Sequence, residues 1–180
     1  MNMDVSEIYS PERVTKEASR YGLTKGFSLD LTVEKTPGTP WDFRMIEHRN
    51  EAIRMICEQR PMFIVGSPPC TEWSTMQNLN KHKWTQEERD ERMKKARVHL
   101  EFMCKIYELQ HKAGRYYIHE HPGYASSWDE ACIHKTHRKT QAEMVMAEMC
   151  RFGMTTTAGG REGLARKATR FMTNSPFAAN

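Results

Sequence analysis

The chain has 180 residues, a net charge of +4 and a hydrophobic content of 38%. This length suits a single domain, residues 1–180, with one core, and no apolar run approaches the roughly 20 residues of a membrane helix. The first residues include Asp4 and Glu7 and lack a basic-then-apolar pattern, so we expect neither a secretory signal nor a membrane partner. Five irregularly spaced cysteines indicate free thiols in a reducing, intracellular compartment.

The charge is uneven along the chain. Residues 134–180 carry eight basic and three acidic residues, so this region is basic while the remainder has a net charge of −1. A basic region favours a polyanionic partner such as nucleic acid, and a solvated basic surface explains the charge equally well.

The first half of the chain alternates strand and helix patterns. Apolar periodicity and turn residues predict a strand at 5–9, a helix at 13–21, a strand at 26–31, an extended piece at 41–43, a helix at 50–59 and a strand at 62–65. Ser10 and Pro11 are the expected N-cap and first position of the first helix, and Gly22 is its expected end.

The second half continues the alternation. Thr85 and Glu88 have capping-box spacing ahead of a helix that ends before Gly114. The pattern then predicts a strand at 116–118, a helix at 140–151, a strand at 152–156, a loop at 159–163 and a strand at 168–173. Alternating elements predict an α/β fold with a mostly parallel sheet and helices on both faces.

Chemically distinctive residues follow four of the predicted strands. In parallel sheets, ligands bind beyond the carboxyl ends of the strands. We therefore take the following segments as candidates for a site: 9–11, Asp30, 66–70 and 119–122.

Cys70 is the most distinctive of these residues. Pro68 and Pro69 restrict the backbone before it, so the thiol is held in one orientation at the sheet edge. A thiol in that position can act as a nucleophile, whereas a small buried cysteine that fills a gap is the structural alternative. We favour the nucleophile because of the Pro-Pro context.

Glu120 follows an apolar strand and stands between His119 and His121. A carboxyl group there can act as an acid, a base or a hydrogen-bond donor, and an N-cap or an ion pair is an equally good interpretation.

These motifs, in this order, resemble the DNA (cytosine-5) methyltransferase family, and especially short methyltransferase-like segments of algal retroelement polyproteins. The segment "PPCTEWS" is similar to the Pro-Cys-Gln loop, with Thr71 where glutamine is usual and with Trp73 and Ser74 just beyond. Glu120-His121-Pro122 would correspond to the family's Glu-Asn-Val motif, and "RKATRFMTN" looks like its Gln-Arg-x-Arg motif.

The resemblance implies a Rossmann-like S-adenosylmethionine-dependent methyltransferase fold that methylates C5 of cytosine in DNA. It assigns catalytic roles to Cys70, Glu120 and Arg170, with Arg170 expected to steady Glu120 or the base. The cofactor motif falls on "SEIYSPERVT", with Pro11 and Glu12 where the family has glycines. The implied cofactor-binding residues are Glu7, Tyr9, Ser10, Asp30, Asp42, Gly66, Ser67 and Pro69. The implied substrate-binding residues are Ser74, Lys167 and Thr169.

The same resemblance raises the expectation that the target-recognition region and the last cofactor motifs are missing. A complementing chain or a polyprotein context would then supply them.

Three other interpretations remain open. "SPPC" also matches three of four positions in the Pro-Pro loop of methyltransferases that act on exocyclic amino groups. A non-catalytic nucleic-acid-binding remnant would use only the basic region. A metal site would use His119, His121, Cys132, His134 and His137, but their spacing does not match a common zinc finger, so we expect no metal.

Overall fold

The computed structural model describes residues 3–179, apart from the side chains of residues 78–81. In this part of the chain the order of helices and strands is β1 (Val5–Ile8), α1 (Val14–Ala18), β2 (Lys25–Leu29), β3 (Glu34–Thr36), β4 (Thr39–Pro40), α2 (Ile46–Gln59), β5 (Phe63–Gly66), α3 (Gln86–Lys112), β6 (Tyr116–Pro122), α4 (Ala131–Thr140), β7 (Glu143–Glu148), β8 (Thr155–Ala158), β9 (Arg161–Leu164) and β10 (Ala168–Thr173). Short 3-10 helices lie at Ser19–Tyr21, Thr71–Trp73, Thr75–Lys83, Ser126–Asp129 and Met149–Phe152.

Six strands form the central sheet in the order β2-β1-β5-β6-β10-β7. The first four are parallel to one another, and β10 runs antiparallel between β6 and β7. Two small antiparallel hairpins, β3–β4 and β8–β9, lie outside this sheet. The predicted α/β fold with a mostly parallel sheet is therefore confirmed.

The chain changes direction across the sheet between β1 and β5. It leaves β1 for β2 on one side and then returns past β1 to β5 on the other side. Because parallel connections are right-handed, this reversal places α1 and α2 on opposite faces. Thr15 of α1 contacts Glu7 on one face, whereas Tyr107 of α3 contacts His119 on the other. Helices therefore cover both faces, as predicted.

The core lies between the sheet and the long helix α3. Ile8, Ile64 and Tyr117 point to the same face of neighbouring strands and are fully buried. Tyr117 stacks on Tyr107 of α3 with ring centroids 4.3 Å apart. Its hydroxyl shares a 2.6 Å hydrogen bond with Thr140 of α4, so both helices are fixed to the same strand.

The capping box predicted at the start of α3 is confirmed. Thr85 Oγ1 accepts a hydrogen bond from the backbone N–H of Glu88, and the Glu88 carboxylate accepts one from the backbone N–H of Thr85. Among the described residues, no helix combines the length and the apolar content that a membrane crossing requires.

The helix predicted at residues 140–151 is wrong. Met, Ala and Glu dominate that segment and favour a helix locally. In the structure α4 ends at Thr140, Gln141 takes a left-handed conformation with φ of 51°, and the segment pairs with β10 as strand β7. Pairing with a distant strand overrides the local preference. The loop predicted at 159–163 is also wrong, because Arg161–Leu164 pairs with Thr155–Ala158.

Candidate active site

Loops from four parallel strands meet at one edge of the sheet. Because β2, β1, β5 and β6 are parallel, the segments that follow them leave from the same side. Tyr9, Asp30, Cys70 and the end of β6 at Pro122 therefore lie along this carboxyl edge. The sequence prediction that these segments share an edge agrees with the topology.

A cavity of about 320 Å³ opens at this edge beside the switch point between β1 and β5. It is lined by Tyr9, Asp30, Leu31, Trp41, Asp42, Phe43, Arg44, Ser67, Pro69 and His99. Five of the eight residues assigned to the cofactor by resemblance are in this lining. The structure adds the aromatic walls and His99, which the sequence motifs did not indicate.

Tyr9 forms a rigid wall of the cavity. Its φ of 62° lies in the left-handed region, which is costly for a bulky residue and is usually found where the surroundings enforce it. Its N–H donates to Leu29 O at 2.8 Å, and its hydroxyl shares a 2.7 Å hydrogen bond with His99 Nδ1. Burial raises the pKa of Tyr9 and lowers the pKa of His99, so both groups stay uncharged at neutral pH.

Two carboxylates lie on the cavity wall. Asp42 binds the Arg44 guanidinium through Nε and Nη2, and this hydrogen bonding holds the pKa of Asp42 below its ordinary value. Asp30 Oδ1 accepts hydrogen bonds from the N–H and hydroxyl of Thr32, at 2.9 and 2.7 Å. Both side chains are therefore held in fixed positions beside the aromatic rings.

Glu7 faces away from the cavity, which corrects its assignment to the cofactor. It is 1% exposed, and Oε2 accepts hydrogen bonds from the N–H groups of Arg13 and Thr15 and from the Thr15 hydroxyl. Burial alone raises the pKa of Glu7, but the hydrogen bonds from Thr15 and its neighbours outweigh burial and lower it. The carboxylate thus accepts hydrogen bonds from backbone N–H groups at the start of α1, which have no partner within the helix.

Ser10 and Gly66 also have structural roles. Ser10 Oγ donates to Glu7 Oε1 at 3.0 Å, so Ser10 supports Glu7 and does not cap α1. Gly66 faces α3, where a Cβ atom would collide with the Tyr107 hydroxyl and the Met103 methyl group. Neither residue lines the cavity, because each is already used in packing.

Cys70 lies directly after Pro69, which lines the cavity. Its φ of −100° and ψ of 0° place it in the sparsely populated bridge region, where many active-site residues are found. Its carbonyl accepts a 3.1 Å hydrogen bond from Trp73 N–H, which closes the 3-10 helix Thr71–Trp73. The thiol is half-buried, while Trp73 is 2% exposed and anchors the loop in the core.

His121 holds the cysteine loop from the neighbouring strand. Its Nε2 lies 3.1 Å from Pro68 O, and its Nδ1 lies 2.6 Å from Ser127 Oγ. Since a carbonyl only accepts, Nε2 carries the proton and Nδ1 accepts from the Ser127 hydroxyl. Burial lowers the pKa of His121 to about 4, so the imidazole is neutral at physiological pH. The sequence motifs did not assign it this anchoring role.

Glu120 contacts Lys167, at 3.6 Å between Oε1 and Nζ. Residues directly opposite each other in paired strands share a face, so Glu120 shares a face with Phe171, and His121 shares the other with Arg170. Arg170 therefore lies on the other face of the sheet from Glu120, and its expected role in steadying the base stays a prediction. The Arg170 guanidinium instead lies 5.2 Å from the centre of the Trp128 ring.

Two of the residues assigned to the substrate, Ser74 and Thr169, have different surroundings in the structure. Ser74 lines a second cavity of about 400 Å³, together with Trp84 and Tyr124. Thr169 is buried at 1% exposure, and its Oγ1 lacks a hydrogen-bond partner within the described part of the chain. Thr169 is therefore not on the surface, and its role in substrate binding stays a prediction.

The histidine-rich segment does not form a metal site. His119 is fully buried and shares a hydrogen bond with the Tyr107 hydroxyl, whereas His134 is exposed on α4. Between residues 3 and 179, side chains of residues 78–81 excepted, no group of three or more His, Cys, Asp or Glu side chains could hold a metal ion.

Comparisons with known proteins add no family to these observations. No protein-family model matches the chain, and no curated protein matches it.

Proposed function

We propose that the chain transfers a methyl group from S-adenosylmethionine to C5 of cytosine in DNA, with Cys70 as the nucleophile. The observation that supports this most directly is the continuity of the loop: Pro69 lines the cavity and Cys70 follows it in a bridge conformation. A small molecule in the cavity would therefore contact Pro69, the residue that directly precedes the thiol. The motif resemblance of the cysteine loop and of Glu120 points to the same chemistry.

The cavity residues fit S-adenosylmethionine by their chemistry. Its volume of about 320 Å³ is in the range of small-molecule sites. The rings of Tyr9, Trp41 and Phe43 provide apolar walls for a purine. Carboxylates such as Asp30 and Asp42 accept hydrogen bonds from ribose hydroxyls and attract positive charge. When bound, the cofactor supplies an electrophilic methyl group.

In the proposed reaction the Cys70 thiolate adds to C6 of a cytosine that has been flipped out of the helix. Addition makes C5 nucleophilic. Glu120 hydrogen-bonds or protonates the ring at N3 and so limits the negative charge on the ring. After C5 gains the methyl group, its proton leaves as H⁺ and the bond between Cys70 and C6 breaks. The aromatic ring and the thiolate are then restored.

Lys167 holds the Glu120 side chain in position in this scheme, because it is the basic residue that contacts it. His121 keeps the Pro68 carbonyl in place and thereby positions the loop that carries Cys70.

Methylation of an exocyclic amino group would need no thiol. In that family an aromatic residue follows the Pro-Pro pair and stacks on the base, whereas Cys70 occupies this position here and Trp73 is buried in the core. The geometry of the loop therefore favours the cysteine mechanism over the amino mechanism.

The cofactor site can be tested by isothermal calorimetry with S-adenosylmethionine. We expect saturable binding that weakens about tenfold in Asp30→Asn, because one charged hydrogen-bond acceptor is lost. Asp90→Asn changes an exposed carboxylate on α3 outside the cavity and should bind like the wild type. Absence of binding up to about 1 mM would contradict the proposed function and favour a non-catalytic remnant.

A further inference from the structure

The hairpin β8–β9 leaves the sheet at the same edge as the candidate active site. Thr169 pairs with Pro122 and Ala168 pairs with Glu148, so β10 begins where β6 and β7 end. The whole segment from Met149 to Lys167 therefore connects two strands at the carboxyl edge. Its last residue, Lys167, contacts Glu120.

This hairpin has a fixed base and an exposed body. Met154 N–H donates to Met149 O at 3.2 Å, and Ala165 N–H donates to Met154 O at 2.7 Å, which joins the two ends of the segment. All residues from 155 to 164 are exposed. The hairpin is thus an antiparallel two-stranded ribbon that projects into solvent.

The segment is also basic. Residues 149–167 contain four basic residues and one acidic residue, a net charge of +3, and all five are exposed. Arg166 is 86% exposed and lies 3.8 Å from Glu148, which leaves its charge largely in solvent. An exposed ribbon with this charge complements a phosphate backbone.

We infer that the hairpin β8–β9 binds duplex DNA by entering its major groove, with Arg161 and Arg166 on the phosphates. The major groove of B-form DNA is about 12 Å wide and admits a two-stranded ribbon. The major groove of A-form RNA is deep and narrow and does not admit one. The choice of DNA as the polyanion rests on the proposed function. The inference adds the element that holds the DNA at the edge of the sheet where Cys70 and Glu120 lie.

The test is a titration of a fluorescently labelled DNA duplex with the full chain at several salt concentrations. In Arg161→Ala/Arg166→Ala we expect weaker binding. The slope of log K against the logarithm of the salt concentration should be smaller in magnitude by about 1.8, because two phosphate contacts are lost. The matched control is Lys112→Ala/Arg138→Ala. It removes two exposed charges near the ends of α3 and α4, which lie at the opposite edge of the sheet because β6 and β7 begin there.

We expect the control variant to keep the wild-type slope and affinity. Equal slopes for the two double variants would overturn the inference, and so would equal binding of an RNA duplex of the same sequence. The titration contains no S-adenosylmethionine, so its result is separate from that of the calorimetry. If the two double variants have equal salt slopes while the chain still binds the cofactor, the hairpin's role is refuted and the proposed function is not.

Discussion

The loops after β1 and β5 lie side by side at the switch point, but they use their polar groups in opposite ways. At β1, Glu7 accepts hydrogen bonds from the start of α1, and Ser10 in the following loop donates to Glu7, so the fold already uses both side chains. After β5, the loop is held from outside by His121, and Cys70 stays half-buried at the edge.

This difference indicates which of the motif residues remain able to bind a ligand. A polar group that is fully used by the fold cannot also bind a cofactor, whereas a group on an externally anchored loop can. On this side of the molecule, Tyr9 and the more distant Asp30 and Asp42 are the side chains left for a ligand. Substitutions at three residues, Glu7, His121 and Ser10, test this contrast between the two loops.

The largest expected effect on stability is that of Glu7→Gln. We expect it to lower the free energy of unfolding by about 3 kcal/mol, because a buried carboxylate loses its charge-assisted hydrogen bonds from the start of α1. Chemical denaturation measures the change, with Glu17→Gln as a control, because Glu17 is a carboxylate of α1 that pairs with Arg20. An effect as small as that of the control would show that Glu7 does not organise the loop.

The same residue gives a pH dependence. The pKa of Glu7 is lowered in the folded chain from a reference of 4.5, so the unfolded state binds its proton more readily. The contribution of Glu7 is complete above pH 4.5 and is lost as the pH falls through the lower folded value. The wild type should therefore lose more stability than Glu7→Gln in acid.

A smaller effect is expected for His121→Leu, which removes the anchor of the cysteine loop. Pro68 O and the Ser127 hydroxyl lose their partner, so we expect a loss of about 2 kcal/mol and slower methyl transfer. His134→Leu, at an exposed position of α4, is the control and should change neither quantity. Normal transfer by His121→Leu would contradict the anchoring role.

The lowered pKa of His121 also predicts a pH interval over which the stability of the fold changes. Its pKa falls to about 4 in the fold from a reference of 6.5, so the unfolded state takes up the proton first. Its contribution is complete above pH 6.5 and is lost progressively down to about pH 4. His121→Leu should show a flatter stability profile across that interval.

The smallest expected effect is that of Ser10→Ala, at about 1 kcal/mol, because one hydrogen bond to Glu7 is lost. Cofactor affinity should be unchanged, since Ser10 does not line the cavity. Calorimetry with S-adenosylmethionine checks this, and a clear loss of affinity would restore Ser10 to the cofactor site.

Much of the fold could be predicted because patterns among residues close together in the sequence indicate it. The run at 62–65 and the capping box at Thr85 indicate a strand and a helix directly, and the structure has both. Residues 140–151 and the hairpin at 155–164 depend on pairing between separated segments. Residue composition within a short window does not contain that information.

The same limit applies to the candidate site. The sequence indicates Cys70 because two prolines and an apolar strand precede it. The face on which Arg170 lies depends on the register between β10 and β6, and a one-residue shift would reverse it. His99 had only an indirect signal, a polar residue within the apolar stripe of α3 that contains Ala96 and Met103.

Covalent capture of Cys70 tests directly whether this thiol attacks cytosine. A DNA duplex that contains 5-fluorocytosine is incubated with the chain and S-adenosylmethionine, and adducts are resolved by denaturing electrophoresis and peptide mass spectrometry. Fluorine at C5 cannot leave as a cation, so the bond between sulfur and C6 should persist. We expect an adduct on Cys70 in the wild type and in Cys57→Ser, an exposed-cysteine control, and none in Cys70→Ser. An adduct that persists in Cys70→Ser, or no adduct in a wild type that binds the cofactor, would contradict the cysteine mechanism.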